Sequence, residues 1–423
     1  MSNKKSKGTF TPKLRFPEFQ NSGKWAEYRL GKISTRIIEK VGDLSLTPVS
    51  ITAGKGFVLQ AEKFGRDISG QQYKNYIVLN RGDFAYNKGN SKKYPQGCIY
   101  KLKEFEQVAA PNVFICFRLE NDHVADFYQC YFDTNFHGPQ LQKFITSSAR
   151  GTGLLNISAE DFFSIIFLSP NKKEQQKIAD CLTSLDELIA AERAQVDALQ
   201  AYKKGLLQAL FPAEGKSVPA LRFPEFQSAG EWEEKTLGDL GKLILGLTYS
   251  PSDIRDDGLL VLRSSNIRDG LIVLDDCVYV TPDIKRANLS QPNDILICVR
   301  NGSTALIGKN AIIPEDMPLC THGAFMTVFR AENPKFAYQL LQTKAYQSQV
   351  AAGLGARINS INNSQLLNYS FFVPTAPEQQ KIAELLRSTD EEIAAQGQRL
   401  AALQVHKQGL LQGLFPSAGE VDE

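Results

Sequence analysis

Glu174 to Pro212 reads EQQKIADCLTSLDELIAAERAQVDALQAYKKGLLQALFP. Within it Ile178, Leu182, Leu185, Ile189, Glu192, Val196, Leu199, Lys203, Leu206 and Leu210 recur at alternating intervals of four and three. That is the a/d stripe of a heptad helix, sustained over more than four heptads. No proline interrupts the run, and Pro212 stops it. Such a helix spans roughly 55 Å at about 1.5 Å per residue. One apolar stripe on a long helix needs a partner to cover it.

The partner is written in the same chain. EQQKIA returns at Glu378 to Ala383, and GLLQGLFP at Gly409 to Pro416 answers GLLQALFP at Gly205 to Pro212. The second stripe runs Ile382, Leu386, Thr389, Ile393, Gln396, Leu400, Leu403, Lys407, Leu410 and Leu414. The duplication also reaches upstream: LRFPEFQ occupies both Leu14 to Gln20 and Leu221 to Gln227. GKWAEYRLGKI (Gly23 to Ile33) matches GEWEEKTLGDL (Gly230 to Leu240), with the chain's two tryptophans, Trp25 and Trp232, in register. The ends of each unit match closely and the middles hardly at all, so a fixed frame surrounds a variable insert, twice. The period is far beyond the roughly 20–50 residues of solenoid repeats. Polar residues share two stripe positions, Glu192 with Gln396 and Lys203 with Lys407. They either fix register or face solvent where the stripe drifts. The linker from Pro212 to Trp232 is long enough to reverse the chain, so antiparallel pairing of the helices is expected.

Composition sets limits. The chain has 423 residues and a net charge of +2, which argues against bulk electrostatic attachment to nucleic acid while leaving room for local basic patches. No run of apolar residues is long enough for a membrane span, and the lysines of MSNKKSKGTF precede no apolar signal region. Seven cysteines at 98, 116, 130, 181, 277, 298 and 320 form no CxxC and read as reduced thiols of a cytoplasmic protein. There is no P-loop, no HExxH and no dinucleotide fingerprint. The histidines at 123, 137, 322 and 406 do not cluster, so no metal site is expected. TPDIK near Asp283 and Lys285 lacks a second carboxylate at nuclease spacing. These absences favour a binder over an enzyme.

The inserts, roughly Trp25 to Pro170 and Trp232 to Pro374, show short apolar runs broken by Gly, Pro, Asn and Asp, then helical stretches near Val124 to Thr146 and Lys335 to Ala352. Each is expected to be a compact α+β domain. YIVLNRGDFAYNKG, GCIYKLK and NVFICFRLE read as strands in the first, and GLLVLRSSNI, NDILICVRNGS, TALIGKNAII and AFMTVFRAE in the second. Their loops carry the side chains that contact DNA: Lys and Arg for phosphate or guanine, Asn for adenine, Ser for either. The candidates are Lys88, Asn90, Ser91 and Lys92 in the first insert. In the second they are Arg263, Ser265, Asn266, Arg300, Asn301, Arg357 and Asn359. Solvated turns have the same composition. The duplication favours the binding reading, because loops that differ between copies of one frame imply two targets.

The LRFPEF–W–LG opening of each half, EQQKIA at the start of each long helix and KKGLLQALFP at the end of the first resemble the specificity subunit of type I restriction–modification systems over the whole chain. SLDELI at Ser184 to Ile189 fits the pattern, and STDEEI at Ser388 to Ile393 departs from it slightly. The resemblance implies two globular α+β target recognition domains joined by two long antiparallel coiled-coil helices, a pseudo-two-fold internal repeat. The expected division is 1–170 and 213–374 for the domains, 171–212 and 375–416 for the spacer helices, and 417–423 for a tail. It implies a double-stranded DNA target in two parts, two adenine methyltransferase subunits and restriction subunits as partners, and no membrane. S-adenosylmethionine is then expected in the methyltransferase partner, with no cofactor in this chain. Phe16, Phe19, Phe223 and Phe226 flank the repeated prolines and are candidate docking residues; packing on their own domain is the competing expectation. The rival readings are a duplicated coiled-coil assembly protein and a stand-alone DNA-modifying enzyme.

Overall fold

The computed structural model describes residues 9–89, 94–145, 155–354 and 359–416. Two helices of 39 residues each, Lys172–Leu210 and Ala376–Leu414, stand out. The chain divides into two compact units, residues 1–192 with 399–423, and residues 193–398. Each unit therefore holds the first part of one long helix and the last part of the other. In the first unit Lys407 Nζ donates to Asp186 Oδ1 at 2.5 Å and Arg399 Nε reaches Glu192 Oε1 at 2.9 Å. Positions rise along one helix as they fall along the other, so the pairing is antiparallel. In the second unit Lys203 Nζ meets Asp390 Oδ1 at 2.5 Å. The cores agree: Ile178 and Leu182 are buried with Leu414 in one unit, and Leu206 and Leu210 with Ile382 and Leu386 in the other.

Every stripe position on both helices is buried or half-buried. This includes Leu185, Ile189, Val196, Leu199, Ile393, Leu400, Leu403 and Leu410, which are half-buried. The polar stripe residues do not simply face water. Lys203, Lys407 and Glu192 are ion-paired, and the Gln396 Oε1 atom is buried without a hydrogen bond.

The two repeated motifs are halves of one joint. In LRFPEF the residues Pro17–Phe19 form a 3₁₀ turn, as do Pro224–Phe226. Arg15 Nε and Nη2 donate to the two carboxylate oxygens of Glu174, each at 2.7 Å, and its other donors reach the carbonyls of Ser22 and Gly23. Arg222 repeats this with Glu378, again at 2.7 Å twice, and with the carbonyls of Ala229 and Gly230. The glutamines that follow, Gln175 and Gln379, donate to the carbonyls of Pro170 and Pro374 at 2.9 Å. Lys177 and Lys381 meet Glu18 and Glu225. Ile178, Ala179, Ile382 and Ala383 fill the cores. Five of the six letters of EQQKIA thus have a partner or a packing role in this joint, and the other glutamine, Gln176 or Gln380, bonds along its own helix to Asp180 or Glu384.

The same joint binds the end of the other copy's helix. Leu14 N–H donates to the Gly413 carbonyl and Leu221 N–H to the Ala209 carbonyl, both at 2.8 Å. A Cβ at Gly413 would lie 2.4 Å from Leu14 Cδ1, so the alanine of the first copy does not fit at the second without a shift of Leu14. One bond is not shared: Trp25 Nε1 donates to Glu174 Oε1 at 3.2 Å, whereas Trp232 Nε1 is buried with no partner.

The inserts share a fold despite their unlike sequences. The first has a four-stranded antiparallel sheet ordered Ser34–Arg36, Ile115–Leu119, Phe84–Asn87, Cys98–Lys101. The second has Gly241–Leu245, Met326–Ala331, Ile295–Cys298, Asn310–Ile312 in the same order. Asp83 is bidentate to Arg118 at 2.6 and 2.8 Å, and Asp294 to Arg330 at 2.8 and 2.7 Å, at matching strand positions.

Two expectations need refinement. YIVLNRGDFAYNKG is not one strand but two, Ile77–Asn80 and Phe84–Asn87, in different sheets, because Gly82 turns the chain at φ 91. The late helices are each broken in two, Ala125–Asp133 then His137–Gln142, and Pro334–Leu340 then Lys344–Gly353. Asn135, left-handed at φ 58, makes the first break, and Thr343 caps a fresh start in the second. All seven cysteines are free thiols, and burial pushes Cys98 and Cys320 up to about 11 and Cys116 and Cys130 up to about 12.

Candidate nucleic-acid interface

In the second unit three loops chosen from sequence come together. The first follows the buried strand Leu259–Leu262 and turns through the 3₁₀ residues Ser264–Asn266. The second follows the strand Ile295–Cys298 and carries Arg300 and Asn301. The third contains Asn359. Asn301 Nδ2 donates to Ser264 Oγ at 3.0 Å, which ties the second loop to the first. Asn359 Nδ2 donates to the Gly302 carbonyl at 3.2 Å, and Arg300 forms a β-bridge with Ser360, which ties the third to the second.

The named residues play different parts. Ser265, Arg300 and Asn359 are exposed. Asn266 is fully buried; its amide donates to the carbonyls of Val273 and Asp276 and its oxygen accepts from Arg263 N–H. It shapes the turn, leaving no free edge to offer a base in this conformation. Arg263 is half-buried and held to Asp276 Oδ2 at 2.7 Å, with its Nε unbonded. Arg268 is paired likewise with Asp275. Arg300 differs: among the described residues its guanidinium has no carboxylate partner, and its Cζ lies 5.7 Å from the Phe325 ring centroid. Arg357 lies outside the described residues.

In the first unit Asn90, Ser91 and Lys92 lie outside the described residues. Lys88 is half-buried, with Nζ 3.5 Å from the Ile157 carbonyl and its own carbonyl accepting from Leu155 N–H. Other cations of this insert are neutralised: Lys74, Arg81 and Lys101 are paired with Asp43, Glu106 and Asp126.

The candidate docking phenylalanines divide. Phe16 and Phe223 are half-buried against the cores of their own units, and Lys177 sits over the Phe16 ring at 5.6 Å. Phe19 and Phe226, also half-buried, lie outside those clusters. The Arg15–Glu174 and Arg222–Glu378 pairs were missed from sequence. The opposite charges in the two repeated motifs were the available signal.

Among the described residues no cluster of His, Cys, Asp and Glu could hold a metal ion, and no helix is long and apolar enough to cross a membrane. The family model for the type I restriction modification DNA specificity domain matches residues 23–201 and again 229–405. The StySPI specificity subunit of Salmonella potsdam is 28% identical over 165 residues, which are 37% of this chain and 35% of that protein. The MjaVIII specificity subunit of Methanocaldococcus jannaschii is 26% identical over 262 residues, 59% of this chain and 61% of that protein. These matches thus span under two thirds of either relative's length. The solved S subunit of the type I restriction-modification system from M. genitalium superposes with a TM-score of 0.61 at 16% identity, over 96% of this chain and 100% of that one. A chain from a structure of type I R-M complex assembly gives 0.52 at 18% identity, over 92% and 96%. With the family model matched once to each half of a duplicated frame, the chain belongs to the type I restriction–modification DNA specificity-subunit family.

Proposed function

We propose that this chain is the DNA-reading subunit of a type I restriction–modification complex and is not itself catalytic. Each recognition domain reads one half of a two-part duplex target, and the paired helices set the gap between the halves. The frame docks two adenine methyltransferase subunits and the restriction subunits, through Phe19 and Phe226, which are half-buried outside the cores of their units. S-adenosylmethionine belongs to the methyltransferase, and the complex works in the cytoplasm, where the DNA is. One observation carries the reading: the frame is duplicated nearly bond for bond, from Arg15–Glu174 to Arg222–Glu378, while the loops on it differ. Duplicated docking with unlike readers suits one machine addressing an asymmetric target. In the second domain the reading surface is the cluster of Arg263, Ser265, Arg300, Asn301 and Asn359; in the first it is Lys88 with the segment that includes Asn90, Ser91 and Lys92.

The test is co-expression with the methyltransferase subunit, followed by mass measurement and methylation mapping. Two methyltransferases per chain and methylated adenines in two half-sites at fixed spacing are expected. The chain alone with DNA and S-adenosylmethionine should transfer no methyl group; transfer without a partner would favour the enzyme reading.

A further inference from the structure

Phe325 belongs to none of the residues chosen from sequence, yet its turn is bonded beside the first loop and to the second. It lies in the turn between the strands Cys320–His322 and Met326–Ala331 and is 58% exposed. The turn is held on every side by backbone bonds. Gly323 N–H donates to the Leu262 carbonyl at 3.0 Å, next to Arg263, and Ala324 N–H to the Leu247 carbonyl at 2.9 Å. The Phe325 carbonyl accepts from both Val299 and Arg300 N–H groups at 3.1 Å. The ring is thus exposed on a fixed backbone, and the guanidinium of Arg300 lies against it.

A lone exposed phenylalanine needs no explanation. The arginine beside it does. Arg222, Arg263, Arg268, Arg330 and Arg387 of this unit are paired with carboxylates, which occupy their N–H edges. Arg193, Arg255 and Arg286 have no carboxylate partner among the described residues, and what sets Arg300 apart from them is the aromatic ring beside it. An aromatic ring holds a guanidinium by its face through cation–π attraction, and the in-plane N–H donors stay free. Those are the donors that grip guanine O6 and N7 in the major groove.

We propose that Phe325 is a specificity-determining residue that positions Arg300 to read one guanine of the half-site recognised by the second domain. The inference rests on the reading of the chain as a DNA-sequence reader. Phe325 acts through Arg300, so removing either relaxes the same base position, while residues elsewhere in the target keep their preference.

The experiment is selection of the full chain, co-purified with its methyltransferase subunits, on a duplex DNA pool randomised over both half-sites. Wild-type protein is expected to enrich a two-part sequence; if it enriches none, the DNA-reading function itself falls. Phe325→Ala, Phe325→Leu and Arg300→Ala should each lower the preference for guanine at one shared position by about fivefold or more, the span of a good bidentate contact. Phe325→Trp should keep it, because the aromatic face remains. The half-site read by the first domain should persist in every variant, showing that the protein is folded. Phe325→Leu that preserves the guanine preference, or Phe325→Ala and Arg300→Ala that relax different positions, would overturn the assignment even with wild-type selection intact. Uniform loss on all sequences in Phe325→Leu would also overturn it, by making the ring a general binding group.

Discussion

Lys407 reaches across to Asp186 at 2.5 Å in one unit, and Lys203 reaches Asp390 at 2.5 Å in the other. The four residues occupy equivalent places in the two copies, so one interaction has been written twice. The lysines sit on the apolar stripe, with side chains 20% and 16% exposed. A charge there is tolerated because the facing aspartate compensates it. Lys203→Met should destabilise by about 1–2 kcal/mol, between the values for exposed and fully buried pairs. Exchanging the charges, Lys203→Asp with Asp390→Lys, should restore most of the loss. Denaturant titration of the two single variants and the double variant measures the coupling.

The arginine–glutamate joints are buried more deeply, with Glu174 and Glu378 side chains each 1% exposed. Glu174→Gln should cost about 3–5 kcal/mol, as expected when one partner of a buried pair is removed. Glu378→Gln should cost less, because Glu174 also accepts from Trp25 while Trp232 has no such bond. Equal losses in thermal or chemical unfolding would show that the tryptophan bond contributes nothing.

His137 is wholly buried, and neither ring nitrogen makes a hydrogen bond of good geometry. Desolvation pushes its pKa down from 6.5 to about 4, with the Gly97 backbone opposing the shift. In the unfolded chain the ring takes its proton near 6.5, so between about 6.5 and 4 the unfolded state binds more protons. Stability from this group is therefore complete above pH 6.5 and declines as pH falls toward 4, by on the order of 3 kcal/mol. His137→Leu should flatten the stability–pH curve over that range. A residual slope is expected, because burial also lowers the pKa of His123 and His322.

If the helices set the gap between half-sites, their length should change it without changing the bases read. A second LTSL inserted after Leu185 adds about 6 Å and slightly more than one turn. At about 3.4 Å per base pair, the preferred spacer should grow by one or two base pairs. The stutter also breaks the heptad register, so stability should drop. Methylation of a DNA set carrying the native half-sites at every spacing gives the answer, and unchanged spacing with intact methylation would assign the measure to the linkers or partner subunits.

The frame was legible because its signal is local and repeated. A heptad stripe marks a helix whatever lies around it, and Pro212 and Pro416 mark its end. The inserts were legible only as α+β. The likeness of their sheets depends on pairings such as Asp83–Arg118 and Asp294–Arg330, between residues far apart in sequence and set among unlike neighbours. In the candidate interface, composition singled out three loops of the second domain that the fold brings together. It could not separate Asn266, which braces a turn from inside, from Asn359, which stands in solvent. Nor could it single out Phe325, whose meaning comes from a guanidinium on another loop.

The bond from Leu14 to Gly413 joins the chain's early segment to its late one, and the bond from Leu221 to Ala209 makes the same joint across a short stretch of continuous chain. What is a loop in one copy is a non-covalent seam in the other. The same contact is therefore made with and without a short covalent link between its two sides. A gene rearranged to open between Phe211 and Leu221, and fused instead across the Gly413–Leu14 seam, is expected to keep both arginine–glutamate joints, Arg15–Glu174 and Arg222–Glu378.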